Sequence, residues 1–394
     1  MKKGLILTLF SAIIAVTGCT ISNDQTVVWQ YDMDYDVAAG VVQDNNYNYV
    51  FFADVKGKVF SVWMDTGNAR HVWNFTNENV SVLHTQLYTD GSDALFVATT
   101  NKLSSVSKLR KLDFGGESLW ETNLALVVHG DVASYTNSDN HIHLILHSSD
   151  KIARIDVNSF PVTIEIVTAA SYGMNDVSKV IVGKDGASIY YYALDSTGRV
   201  FKIDSSLNLV ASSPTAAKNF YGAVIYYNNK LYVADSQGLH VHDAANISFP
   251  PGNYFTEHDI KYTPMLIDPI TGMLYIGYYS FNNTPYGGIG KYDLNDNLSR
   301  DWTSEYQGFD HFSYSPLYYS YLLEYAAIVD DAGYLNLVDA KTGVFIDVNH
   351  YLGVISKPNL KWAHDYNGKA VYIAVNIPSR IYCISLENAA TGGE

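Results

Sequence analysis

Cysteine is nearly absent from this chain: 394 residues contain only Cys19 and Cys383. A structural zinc site built on several thiolates is therefore excluded. Cations are scarce too, with 25 Lys and Arg against 40 Asp and Glu and a net charge of −15. Nucleic-acid binding depends on neutralising phosphates with such cations, so no nucleic-acid partner is expected. An acidic surface likewise disfavours broad electrostatic adhesion to anionic lipid. Proline is limited to 10 residues and no Pro/Ser-rich linker divides the chain. Sustained helical periodicity is missing from Ser22 onward. The Gly-x-Ser-x-Gly, His-Glu-x-x-His and Gly-x-x-x-x-Gly-Lys motifs are missing as well, which removes the usual hydrolase, metalloprotease and P-loop readings. What remains is abundant in tyrosine, 32 residues, and 47% hydrophobic, a composition that favours strands.

The N-terminus reads as an address. Lys2 and Lys3 precede an apolar run from Leu5 to Val16, too short for a spanning helix and built like a secretory signal. Its end, Val16-Thr17-Gly18-Cys19, resembles a bacterial lipobox, in which the cysteine is lipidated and becomes the mature N-terminus. Residues 1–18 are thus expected to be a lipoprotein signal peptide, and residues 19–26 a lipidated tether. Thr20 stands where an Asp would resemble an inner-membrane retention signal, so the expected location is the outer membrane. With Cys19 lipidated, Cys383 has no intrachain partner, and its neighbours Ile381, Tyr382 and Ile384 mark it as a small core residue.

From there on, short β-rich runs alternate with Gly, Asn and Asp. An acidic residue closes one strand in each unit: Asp65, Asp113, Asp156, Asp204, Asp243, Asp293, Asp339 and Glu387. A period of about 46 residues suits one four-stranded propeller blade, and eight marks imply eight blades. Asp-x-x-Gly recurs at Asp54–Gly57, Asp195–Gly198, Asp235–Gly238 and Asp330–Gly333. Asp opens a type I turn by accepting backbone N–H groups, and Gly supplies the positive φ that closes the hairpin. A third mark, Asp90-Gly91, Asp185-Gly186, Asn228-Asn229 and Asn367-Gly368, favours tight hairpins. The fold class expected is all-β: an eight-bladed β-propeller of four-stranded antiparallel blades, one domain over residues 27–394. Val27-Val28-Trp29-Gln30-Tyr31 would supply the last blade's outer strand and close the ring, leaving no unpaired edge there. Trp29, Tyr31, Met33, Tyr35 and Val37 would share one face of an extended strand, and Gln30, Asp32, Asp34 and Asp36 the other.

The segment from Val329 through Gly333, Asp339 and Thr342 to Gly343 resembles the repeat of the pyrroloquinoline-quinone-type (PQQ-like) propellers: a Gly turn, a short apolar strand, Asp, Thr-Gly and a later Trp. That Trp recurs at Trp73, Trp120 and Trp302, and Trp29 holds the family's position. The resemblance covers nearly the whole mature chain, with about half the repeats matching closely. Quinoprotein dehydrogenases of this fold hold their cofactor with a calcium ion and often a vicinal disulfide, which one mature cysteine rules out. The expectation is therefore a non-enzymatic chain with no cofactor. The signal, the length and the blade number resemble the outer-membrane assembly lipoproteins of BamB type. That resemblance implies a lipid-anchored scaffold that binds a protein partner in the cell envelope by β-augmentation and loop contacts, favouring the periplasmic side. The alternative is a surface-displayed propeller that binds glycans or serves an extracellular assembly.

Candidate sites are few. The widest departure from the repeat runs from Tyr278 to Gly290 and, with its three glycines Gly287, Gly288 and Gly290, reads as an enlarged loop, with Asn282, Asn283, Pro285 and Tyr286 available to a partner. His141, His143 and His147 share strand parity, as do His240 and His242 beside Asp243. Imidazoles two apart can converge on zinc, and solvent-facing strand positions explain them equally well, so no metal is expected. Asp293-Leu-Asn295-Asp-Asn297 opens like a calcium loop but has Leu298 in place of the Gly and Ser304 in place of the Glu, and reads as a turn. Neighbouring rings at Tyr190–Tyr192, Tyr226-Tyr227, Tyr278-Tyr279 and Tyr318-Tyr319 fall on opposite strand faces, where they either pack between blades or serve binding on a rim.

Overall fold

The computed structural model describes residues 27–44, 48–87, 93–103, 106–214, 224–235, 238–248, 251–254, 265–280, 286–307, 318–320, 323–329, 334–351, 363–364, 369–374 and 380–386. Their strands form eight four-stranded antiparallel sheets. The first strand, β1 (Val27–Asp32), belongs to the last of them. Sheet I joins β2 (Val37–Gln43), β3 (Tyr49–Asp54), β4 (Lys58–Trp63) and β5 (Ala69–Asn74). Sheet II joins β6 (Glu78–Leu87), β7 (Asp93–Asn101), β8 (Ser107–Leu112) and β9 (Ser118–Leu124). Sheet III joins β10 (His129–Thr136), β11 (Ile142–His147), β12 (Lys151–Asp156) and β13 (Thr163–Thr168). Sheet IV joins β14 (Val177–Asp185), β15 (Ser188–Asp195), β16 (Val200–Asp204) and β17 (Leu209–Ser212). Sheet V joins β18 (Val224–Tyr227), β19 (Lys230–Asp235), β20 (Gly238–Asp243) and β21 (Gly252–Tyr254). Sheet VI joins β22 (Met265–Asp268), β23 (Met273–Ser280), β24 (Tyr286–Asp293) and β25 (Ser299–Gln307). Sheet VII joins β26 (Tyr318–Ser320), β27 (Tyr325–Val329), β28 (Tyr334–Asp339) and β29 (Phe345–Tyr351). Sheet VIII joins β30 (Ala363–His364), β31 (Lys369–Ala374), β32 (Arg380–Ser385) and β1.

Successive residues of a strand face opposite sides of its sheet. In the second strands both sides are covered, so β11 is buried at all six positions and β3 at five of six. That is why these strands read as continuous apolar runs instead of alternating ones. Fourth strands bury little: β5, β9 and β13 are mostly exposed or half-buried. The two faces feed different cores. Phe51 packs in a cluster with Leu95 of sheet II, whereas Phe52 joins Ile381 of sheet VIII. Tyr191 packs with Ile145 of sheet III, and Tyr192 with Leu231 of sheet V. Apolar clusters of this kind lie between sheets II and III, V and VI, and VI and VII as well. The cluster of Phe52 and Ile381 also takes in Leu335 of sheet VII, Cys383 of sheet VIII and Phe60 of sheet I.

The turn chemistry follows the residue types. Asp54 Oδ1 accepts N–H groups from Lys56 at 2.8 Å and Lys58 at 2.9 Å, and Gly57 takes φ +90°. Asp195 does the same for Thr197 and Arg199. Asn228 and Asn229 both adopt positive φ in the two-residue turn that pairs Tyr227 with Lys230. Asp156, Asp204, Asp243, Asp293 and Asp339 each end the third strand of a sheet, and Asp293 opens the expected turn by accepting the N–H of Asn295. Glu387, Asp90-Gly91 and Asn367-Gly368 lie outside the described residues.

The tryptophans join neighbouring sheets. Trp29 Nε1 donates to the Met64 carbonyl at 2.7 Å, Trp73 Nε1 to Gly116 at 3.1 Å and Trp302 Nε1 to Ala340 at 3.0 Å. Each acceptor sits just after the third strand of the next sheet. Trp120 is half-buried against Phe96.

Two expectations are corrected. The segment from Val27 to Val37 is not one strand: β1 stops at Asp32 and Tyr35 is exposed, with Lys56 over its ring. β1 does pair with β32, setting Trp29 opposite Cys383. Nor is Tyr278–Gly290 one long loop. β23 and β24 pair from Met273↔Asp293 to Ser280↔Tyr286, which leaves only residues 281–285 between them. The glycines there are ladder residues, not breakers: at Gly290 a Cβ would lie 2.6 Å from the ring of Tyr292.

Candidate functional site

Among the described residues, an open polar cleft of about 560 Å³ lies between sheets III and IV. Its wall combines the turn from β10 to β11, the turn from β14 to β15 and the turn that follows β16. These turns join first to second and third to fourth strands, so they lie at the same end of their antiparallel sheets. Asn137 shapes the first by accepting the N–H groups of Asp139 and His141, both at 2.9 Å. Gly186, at φ +58°, shapes the second, where Asp185 pairs with Ser188.

On the sheet III side, His143 pairs across the ladder with Tyr135 and stacks on its ring at 4.9 Å and 16°. The imidazole is buried, its Nδ1 has no hydrogen-bond partner among the described residues, and desolvation lowers its pKa. It is therefore a neutral group at pH 7. Tyr135 and Tyr191 share a hydrogen bond of 2.8 Å between their hydroxyls, and burial raises Tyr191 far above the usual phenol range. Arg154, on β12, gives Nη2 to both Glu165 oxygens at 2.7 Å. Its Nη1 donates across the seam to the Ser205 carbonyl.

The sheet IV side presents Tyr190 and Asp204. Burial alone would raise the Asp204 carboxyl, but hydrogen bonds from Asn208 and Ser206 outweigh it and hold the group below its usual range. The Tyr190 ring itself turns to the other face of sheet IV, where Lys202 Nζ lies 4.1 Å from its centroid and donates to the Ala244 carbonyl at 2.9 Å. Just outside the cleft, Asp156 hydrogen-bonds His141 Nδ1 at 2.8 Å and raises its pKa. The cleft thus offers neutral donors and acceptors beside aromatic rings, while its ionic groups are already engaged by the protein. Such an arrangement suits binding.

The histidine expectation is corrected in part. His143, His147, His240 and His242 are buried, not solvent-facing, because second and third strands are covered on both sides. His141 alone of the five is well exposed. Among the described residues no group of three His, Cys, Asp or Glu is placed to hold a metal ion. Two tyrosine pairs pack between sheets: Tyr192 stacks on Tyr226 at 5.7 Å and Tyr275 on Tyr319 at 5.0 Å. Cys19, Asn282, Asn283 and Pro285 lie outside the described residues. Tyr286 opens β24 opposite Ser280 and Gln307. Sequence reasoning marked His143 and Tyr190 but missed Tyr135, Arg154 and Asp204 as members of one site. No motif ties them, because they come from two different repeats.

No protein-family model matches the chain, and no curated protein matches it in sequence. Solved structures do. BamB from Moraxella catarrhalis is similar at a TM-score of 0.55 and 16% identity, over 91% of this chain and 97% of that one. The Cps50 (Swd1) β-propeller domain from Myceliophteria thermophila is similar at 0.53 and 10% identity, over 91% and 99%. Quinohemoprotein alcohol dehydrogenase from Comamonas testosteroni is similar at 0.62 and 11% identity, over 91% and 76%. At these identities the likeness shows the fold, which is a β-propeller.

Proposed function

We propose that the eight sheets are the blades of one closed propeller spanning residues 27–394, and that it acts as a non-enzymatic scaffold anchored in the bacterial outer membrane through lipid on Cys19. The observation that carries this reading is the pairing of β1 with β32. It builds the N-terminal strand into the last blade, so a lipid on Cys19 would hold the propeller through residues 19–26, a tether of at most about 30 Å. The apolar clusters support closure, since they link every neighbouring pair of blades and one of them joins blades VII, VIII and I. The likeness to BamB, which extends over 97% of that chain, supports an envelope scaffold of the same build. Edge strands such as β13, an uninterrupted ladder face with one charged residue, are available for β-augmentation.

The test is gentle purification from membranes with the native lipid attached, followed by identification of what accompanies the chain. The barrel-forming subunit of the outer-membrane assembly machine is the expected companion on the periplasmic side. Recovery of a surface polysaccharide in its place would favour the second reading, a surface-displayed glycan-binding propeller. The polar cleft between blades III and IV is the observation on that side.

A further inference from the structure

We infer that the cleft between sheets III and IV is a binding site for a neutral saccharide unit. This rests on and deepens the second reading, glycan binding at the same cleft, and does not depend on the scaffold reading. The cleft lies within two sheets and needs neither Cys19 nor an envelope partner, so either idea can fail alone.

Size admits a small ligand: about 560 Å³ falls within the range of small-molecule sites. Charge narrows the class. An anionic ligand would meet the Asp204 carboxylate, and the guanidinium that could compensate is committed on Nη2 to Glu165 and on Nη1 to Ser205. A cationic ligand would meet Arg154 itself. Neither sign finds a free counter-charge, and displacing Glu165 from Arg154 would forfeit a two-pronged ion pair.

Uncharged polar groups fill the remaining perimeter. Ser138, Ser188 and Ser205 stand on three different turns around the opening, and a hydroxyl both donates and accepts. Tyr135 adds aromatic surface from the sheet III side, with one face already occupied by His143. Aromatic surface flanked by hydroxyls matches a sugar ring, which has apolar C–H faces and an equatorial belt of hydroxyls. A wholly apolar ligand would strand the serine hydroxyls and Asp204 without water.

The experiment uses the full lipidated chain in a detergent without a sugar headgroup. Saturation-transfer NMR is recorded with maltose, lactose and N-acetylglucosamine, and with sialic acid and glucosamine as charged controls. At least one neutral sugar should show transfer and the charged controls should not. Ala187→Trp, in an exposed turn, should plug the cleft and Tyr135→Ala should remove its aromatic wall. Each should weaken binding roughly tenfold or more, with melting temperature followed to show that the chain stays folded. Two variants guard against the failure of one to fold. Absence of transfer from all three neutral sugars overturns the inference. So does equal transfer from the charged ones, or binding that survives in both variants.

Discussion

Gly67 sits where the indole of Trp29 leaves no room for a side chain: a Cβ at Gly67 would lie 2.5 Å from Cδ2 of Trp29. The same relationship recurs between Gly343 and Trp302, at 2.7 Å. Both glycines have positive φ, +67° and +72°, so the Thr-Gly of the repeat answers a steric and a backbone demand at once. Gly67→Ala should therefore cost roughly 2–4 kcal/mol from strain and overpacking. Trp29→Ala, which empties a buried site and forfeits the bond to Met64, should cost about 3–5 kcal/mol. Urea unfolding checks both, and their sum should exceed the cost of the double variant. Strict additivity would mean the two residues do not act as one contact.

Acid should weaken the fold through its buried histidines. Burial pushes His242 down to about 4 and also lowers His143. An unfolded histidine titrates near 6.5, so the neutral folded form contributes stability that is complete above that value. It is lost as pH falls from about 6.5 towards 4, on the order of 3 kcal/mol for His242 alone. Unfolding free energies at pH 7 and pH 4.5 should show the drop, and His242→Leu should reduce it. An unchanged slope in that variant would assign the effect elsewhere.

Arg110, almost wholly buried, binds Glu78 through Nη1 at 2.7 Å and Nη2 at 3.0 Å, and Glu121 through Nε at 3.1 Å. Burial would raise the Glu78 carboxyl, but the hydrogen bonds from Arg110 and Thr99 prevail and lower it. Arg110→Met should cost about 1–3 kcal/mol, because half-buried Glu78 is then left without its partner. Adding Glu78→Leu should recover part of that loss. Denaturant melts of the single and double variants decide it, and no recovery would show that packing, not the stranded charge, set the cost.

Cys19→Ser should give an exported chain that leaves the membrane fraction on washing with high salt, followed by immunoblot. A variant that stays membrane-bound like the parent would remove the lipid from the account.

Deleting residues 20–36 removes β1 and its ladder with β32, exposing a strand edge and the surface that Trp29 covers. The expected cost is several kcal/mol, on the scale of the lost burial, read as a lower melting temperature. A melting temperature equal to the parent's would show that sheet VIII does not need its fourth strand.

Replacing residues 281–285 with a short Asp-Gly turn should leave melting nearly unchanged while weakening capture of the envelope partner, if that loop carries Asn282, Asn283 and Pro285 into the interface. Undiminished capture would take the loop out of it.

Much of the fold was legible because its signals are local. Asp54-x-x-Gly57, Asn228-Asn229 and the acidic strand ends each act within four residues, and the structure places turns at every one it describes. Gly287, Gly288 and Gly290 misled for the opposite reason: their neighbours across the ladder and the Tyr292 ring are invisible in local composition. The cleft as a site was not legible, since Tyr135 and Arg154 of one repeat meet Asp204 and Ser205 of the next only when the two pack.

By itself, then, the sequence determined the repeat, the strand type and the turns, since each depends on residues a few positions apart. Tertiary structure alone decided that four of the five marked histidines are buried, that Trp29 docks on Gly67 and Met64, and that a polar cleft opens between sheets III and IV. The physical reason is that a propeller strand has two faces and each is covered by a different neighbouring sheet. Alternation along the chain therefore tells which neighbour a side chain meets and cannot tell whether it meets water.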